Sequence, residues 1–81
     1  MTRDETLKEL QSVFHSVFND TDVEIDYDMT AHDYEPWDSL NHIGLIVQTE
    51  RHFKIKLLNA EVARLENIGD LVDIVVKKSR R

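Results

Sequence analysis

Ser39 is the residue best placed for chemistry, in the stretch Trp37-Asp38-Ser39-Leu40. A serine hydroxyl attacks only when a base activates it, and His42, three residues on, is the candidate. The chain shows no strand–turn nucleophile elbow around Ser39, no evident acid to orient His42 and too little length to enclose a substrate pocket. The hydroxyl suits attachment better than attack. Pro36 makes Glu35 extended and stops any earlier helix from running through, and Asp38 or Ser39 can then cap a new helix. At such a helix start, unpaired backbone N–H groups and the positive end of the dipole favour a phosphate. The spacing therefore points to a serine that carries a phosphoryl-linked group.

Other candidate chemistry is weaker. Val23, Ile25, Tyr27 and Met29 alternate with Asp22, Glu24, Asp26 and Asp28, so carboxylates crowd this segment. A calcium loop starting at Asp20 would need glycine at its sixth position and glutamate at its twelfth, where Ile25 and Ala31 stand. His15 has no second histidine at metal-binding spacing and reads as a surface or half-buried residue, and His52 as a solvated one. No metal site is expected.

Eighty-one residues make one small domain, residues 1–81, near the size at which a single core gives marginal stability. With 41% hydrophobic and 32% charged residues the chain is globular rather than disordered. It has no cysteine, so no disulfide braces it and it has no thiol of its own. Net charge is −6, unevenly spread: residues 20–38 hold eight acidic residues and no Lys or Arg, whereas residues 39–81 hold eight basic and five acidic. This acidity argues against nucleic acid and favours partners with basic docking surfaces. No apolar run is long enough for a membrane span and no basic-then-apolar signal segment is present, so a cytoplasmic monomer without membrane insertion is expected.

The elements that must hold Ser39 read as helices. Thr2 and Glu5 have capping-box spacing. Leu7, Leu10, Phe14, Val17 and Phe18 follow at intervals of three and four, which predicts a helix over about 3–18, ended by Asn19-Asp20. The alternation at residues 23–29 has a strand's period, but no second strand-like run exists to pair with it. A second helix is expected over about 39–53. At about 100° per residue, Ile43, Ile46 and Phe53 share one arc, extended by His42, Leu45 and Thr49, and Leu40, Gly44 and Val47 lie roughly opposite. One arc must face the core. The other is an apolar patch beside the serine, either a docking surface or a face covered by the preceding loop. A connector follows, with Ile55 and Leu57 or Leu58 turned inward, then a short helix over about 59–65 capped by Asn59. A last helix spans about 68–78, capped by Asn67 and Asp70, with Lys77 and Lys78 at the end the dipole prefers and Ser79-Arg80-Arg81 as a frayed tail.

Asp38-Ser39-Leu40, followed by Ile43, Leu45, Ile46, Glu50, Phe53 and Ile55 midway along a small acidic chain, resembles the acyl carrier proteins and related phosphopantetheine carriers. The resemblance extends over nearly the whole chain and implies an all-α four-helix bundle with one short helix and a long first loop lying across it. Val23, Ile25 and Met29 would then reach inward while the carboxylates face water. The core would be Leu7, Leu10, Phe14, Val17, Ile43, Leu45, Ile46, Phe53, Leu65, Ile68, Leu71, Val72 and Val75.

The resemblance also implies that a phosphopantetheinyl transferase places 4′-phosphopantetheine from coenzyme A on Ser39. The arm's thiol would carry acyl cargo as thioesters among acyl-loading, acyl-transfer or synthase enzymes, and the chain itself would catalyse nothing. Asp38 would contact a basic group on the transferase, and Leu40 and Val47 would be the apolar part of the docking face. Three departures set the chain apart from fatty-acid-type carriers. Glu35-Pro36-Trp37 stands where a glycine is usual before the motif, Asn41, Gly44, Gln48 and Arg51 stand where acids line the helix, and Thr49 stands where leucine is common. These favour a dedicated polyketide, peptide or other acyl-transfer pathway over general fatty-acid synthesis. Trp37 would shield the phosphate or pack on the loop. A protein-interaction module that does not need Ser39 is the reading outside this class.

Overall fold

The computed structural model describes residues 2–79, and Arg80 and Arg81 of the tail lie outside them. Four α-helices follow in order: α1 (Arg3–Phe18), α2 (Ser39–Phe53), α3 (Asn59–Ala63) and α4 (Ile68–Ser79), with a 3₁₀ turn (Ala31–Asp33) in the long first loop. No strand occurs among the described residues. The fold is the all-α bundle with one short helix.

The ends of α1 follow from local chemistry. Thr2 Oγ1 accepts from the Glu5 N–H at 3.1 Å while Glu5 Oε1 accepts from the Thr2 N–H at 2.9 Å, completing the capping box. Asn19 ends the helix in the left-handed conformation at φ 50°, which Asn tolerates better than most residues. The amphipathic stripe packs α1 against α2 and α4. Leu10, Phe14, Leu45, Ile68, Leu71, Val72 and Val75 are fully or almost fully buried, and burial of one such side chain stabilises by roughly 1.5–3 kcal/mol.

The first loop is ordered without a strand partner. Its inward residues Ile25 and Met29 are buried, Val23 is half-buried, and Glu24, Asp26 and Asp28 face water. Helices take its backbone groups: Gln11 Oε1 accepts the Ile25 N–H at 3.0 Å, and His15 Nε2 donates to the Val23 carbonyl at 2.7 Å. The N–H groups of Ile68 and Gly69 donate to the carbonyls of Met29 and Tyr27 at 2.9 and 2.8 Å. A Cβ on Gly69 would stand 2.9 Å from the Tyr27 carbonyl oxygen, so this approach requires glycine. Tyr27 also donates to Asp4, and Tyr34 to Asp20 at 2.7 Å, which holds the Asp20 carboxyl below its ordinary range.

Several expectations need correction. Ile43 is not a core residue: its side chain is 63% exposed on the arc of Leu40 and Val47. On the wheel it lies about 40° from Val47 and about 60° from Leu40, nearer that arc than Ile46 and Phe53 are, and its exposure agrees. Leu7, Val17, Phe53 and Leu65 are half-buried at the core margin rather than central. Val13, Trp37 and Leu57 complete the centre. Of the pair Leu57 and Leu58, Leu57 turns inward.

Asn59 does not cap α3. Leu58 is the N-cap, and Glu61 reaches back to accept its N–H at 2.9 Å, leaving Asn59 in the first turn. α3 also stops at Ala63 rather than near Leu65, because Arg64 and Leu65 close with tighter i to i+3 bonds. Lys78 on α4 ties this corner down, pairing with Glu61 at 2.7 Å and donating to the Lys56 carbonyl at 2.8 Å.

Candidate functional site

The site is built where the first loop becomes α2. Trp37 is buried, 7% exposed, with its ring edge-on to Phe14 at 5.7 Å. It stacks on His42 at 6.0 Å between centroids and 27° between planes. Its indole Nε1–H donates to His42 Nδ1 at 3.0 Å. Trp37 therefore packs in the core against Phe14 of α1 and His42 of α2. The two residues flank the cap in the arrangement of a hydrophobic staple, with Trp37 just before the N-cap and His42 in the fourth helical position. That spacing was readable in the sequence and would have placed Trp37 inside.

Asp38 is the N-cap, with Oδ1 accepting the Asn41 N–H at 2.8 Å, and Asn41 Nδ2 donates to the Pro36 carbonyl at 2.9 Å. Together these bonds fix the turn that presents Ser39 as the first residue of α2. Ser39 is exposed, and among the described residues nothing is hydrogen-bonded to its hydroxyl. An open hollow of about 360 Å³ lies beside it, walled by Ala31, Trp37, His42 and the Leu65-Glu66 segment. A linear phosphoryl-linked group on Ser39 fits this setting: the hydroxyl is open to solvent, the helix start faces it and the hollow gives room.

The hydrogen bond from Trp37 determines what His42 can do. An indole nitrogen only donates, so His42 Nδ1 is the acceptor and the neutral ring carries its proton on Nε2. Such a ring is a donor at its free nitrogen and cannot accept a proton there. Burial also pushes its pKa below the ordinary imidazole value. The serine–histidine pair of a hydrolase is thus absent, because the nitrogen that would take the serine proton is already protonated.

Beyond Ser39, α2 presents Leu40, Ile43 and Val47, which are 77%, 63% and 38% exposed. Asp38 lies exposed at the head of this face. Leu40 and Val47 were expected on one face and Ile43 in the core, and all three are exposed together. Thr49 is fully buried, and its hydroxyl donates to the Leu45 carbonyl at 2.7 Å, so the polar group in the core is satisfied within its own helix. At Gly44 a Cβ would meet Val17 at an ordinary 3.9 Å, so the fold does not demand glycine there. No cluster of His, Cys, Asp or Glu suited to a metal ion occurs among the described residues.

A solution NMR structure of a holo acyl carrier protein from Geobacter metallireducens is similar to this chain, with a TM-score of 0.85 and 44% sequence identity over 90% of this chain and 84% of that one. This chain belongs to the acyl carrier protein family. No protein-family model and no curated protein matches it. As an acyl carrier protein it has an acyl carrier role and is not an enzyme. No helix among the described residues is long and apolar enough to cross a membrane.

Proposed function

We propose that the chain, acting as a single carrier domain, holds acyl or related intermediates as thioesters on a 4′-phosphopantetheine arm attached to Ser39. The observation that carries this reading is the exposed, unbonded hydroxyl at the first position of α2, presented by a turn that Pro36, Asp38 and Asn41 hold rigid. A phosphopantetheinyl transferase supplies the arm. The Ser39 oxygen forms a bond to the phosphorus that carries pantetheine as the P–O–P link of coenzyme A breaks, 3′-phosphoadenosine 5′-phosphate leaves, and a base on the transferase takes the hydroxyl proton. The resulting phosphodiester sits at the open start of α2, where backbone N–H groups favour an anion. The arm supplies the thiol that a chain without cysteine lacks. It also makes each meeting of cargo and enzyme effectively intramolecular, so docking can stay weak.

Partner enzymes dock on Leu40, Ile43 and Val47, with Asp38 meeting a basic group at the edge. The rest of that side of α2 carries Asn41, Gly44, Gln48 and Arg51 in place of a row of acids. Partners therefore read an apolar helix with little negative charge. This supports service in a dedicated polyketide, peptide or other acyl-transfer pathway rather than general fatty-acid synthesis, with the chain a monomer in the cytoplasm. The test is intact mass after incubation with coenzyme A and a broad-specificity phosphopantetheinyl transferase. The wild-type chain gains one phosphopantetheine and Ser39→Ala gains none, with an unchanged melting temperature because Ser39 is exposed. No gain with several transferases would overturn the reading and leave an interaction module built on the same apolar face.

A further inference from the structure

His42 stands one helical turn beyond Ser39, and residues three apart on a helix are neighbours on one face. Both line the same open hollow. The Trp37 indole N–H occupies His42 Nδ1 at 3.0 Å, and stacking of the two rings fixes the imidazole plane. The remaining nitrogen, Nε2, carries a proton and has no acceptor among the described residues. An oriented donor on the wall of an open hollow, with no protein acceptor, is free to bind a group carried by the neighbouring serine.

We propose that His42 positions the arm carried on Ser39, its Nε2–H donating to a phosphodiester oxygen, with Trp37 setting the tautomer that makes this donation possible. The proposal rests on the attachment reading of Ser39. Its chemistry is that of a neutral donor to an anion, so binding needs no change of protonation. The bond removes rotational freedom from the root of the arm and directs its first atoms along the hollow toward Leu65 and Glu66. The charged groups that face His42 across the hollow are the Asp38 and Glu66 carboxylates. Both are present with and without the arm, so a difference between the two states belongs to the phosphate.

The test is a pair of NMR titrations on the chain labelled with ¹⁵N-histidine, before and after loading, with intact mass establishing that the arm is present. Long-range ¹H–¹⁵N correlations are expected to show the Nε2–H form of His42 in both states. Loading is expected to raise the His42 titration midpoint by about half a pH unit or more, because a nearby anion favours the charged ring. The ³¹P signal of the loaded chain should titrate at that same midpoint and cease to do so in His42→Gln, which keeps a neutral donor of similar reach. A chain that cannot be loaded overturns the attachment reading and this proposal with it. A loaded chain whose His42 midpoint is unmoved and whose ³¹P shift ignores that titration overturns this proposal alone. A third arm uses Trp37→Phe, which removes the indole donor: the Nε2–H preference of His42 should weaken, and an unchanged tautomer would show that Trp37 does not set it.

Discussion

Two helix starts in this molecule are put to opposite uses. At the start of α4 the backbone donors are consumed by the protein itself. Ile68 and Gly69 donate to loop carbonyls, and Asp70 donates to Asn67 Oδ1 at 2.8 Å. Ile68 and Gly69 are buried there, with Tyr27 too close to Gly69 for any side chain. At the start of α2 the Asn41 N–H is capped by Asp38, whereas those of Ser39 and Leu40, both exposed residues, have no acceptor among the described residues. Both ends offer an anion or a carbonyl the same donors and dipole. The closed start binds the first loop and so builds the fold. The open start leaves its donors unused, and Ser39 there is exposed and apart from the core.

The largest expected effect comes from breaking the closed start. In Gly69→Ala the added methyl would sit 2.9 Å from the Tyr27 carbonyl oxygen and 3.3 Å from Asn67 Oδ1. Neither the backbone nor the cap can yield freely, so the variant should lose about 1–3 kcal/mol in urea unfolding. For a domain this small that is a fall of roughly 4–8 °C in melting temperature per kcal/mol. A variant as stable as wild type would show that the loop is not held there.

Asp38→Ala at the open start should cost less, about 1 kcal/mol, through loss of the single cap bond. The effect is read from the same unfolding curves. A loss near that of Gly69→Ala would mean that the two starts are not built differently.

The smallest effect is in pH dependence. The pKa of His42 is depressed in the folded chain, so the unfolded chain binds the extra proton first and stability rises with pH through this range. The contribution is fully present above the ordinary imidazole value of 6.5 and is lost as pH falls toward the depressed one. Between pH 7.5 and 5.5 the urea midpoint of wild type should fall more than that of His42→Gln. Equal falls would remove His42 from the balance. The carboxylates of Glu5, Asp20 and Glu61, held below their ordinary ranges by hydrogen bonds, lose their contributions only in more acid solution.

Periodicity and capping residues alone determined where the long helices of this chain lie, and the bundle they form was what the family resemblance implied. Leu7, Leu10 and Phe14 repeat at a helix's spacing, Thr2 and Glu5 announce the first turn, and Pro36 and Asp38 announce the start of α2. These are local effects, governed by side chains a few residues apart. The same holds for the prominence of Ser39, which follows from residue type and position. Only the tertiary structure decided which side of α2 faces out, because both arcs carry apolar residues and it is packing that buries Leu45, Ile46 and Thr49 and leaves Leu40, Ile43 and Val47 exposed. It alone also decided how a strand-like run at residues 23–29 is satisfied, since its partners are Gln11, His15 and the first donors of α4, far away in sequence. The proton on His42 belongs with these, for it depends on an indole whose orientation is set by burial against Phe14. Local chemistry places a helix and its first residue. What surrounds that residue is determined by packing between segments that the chain order does not bring together.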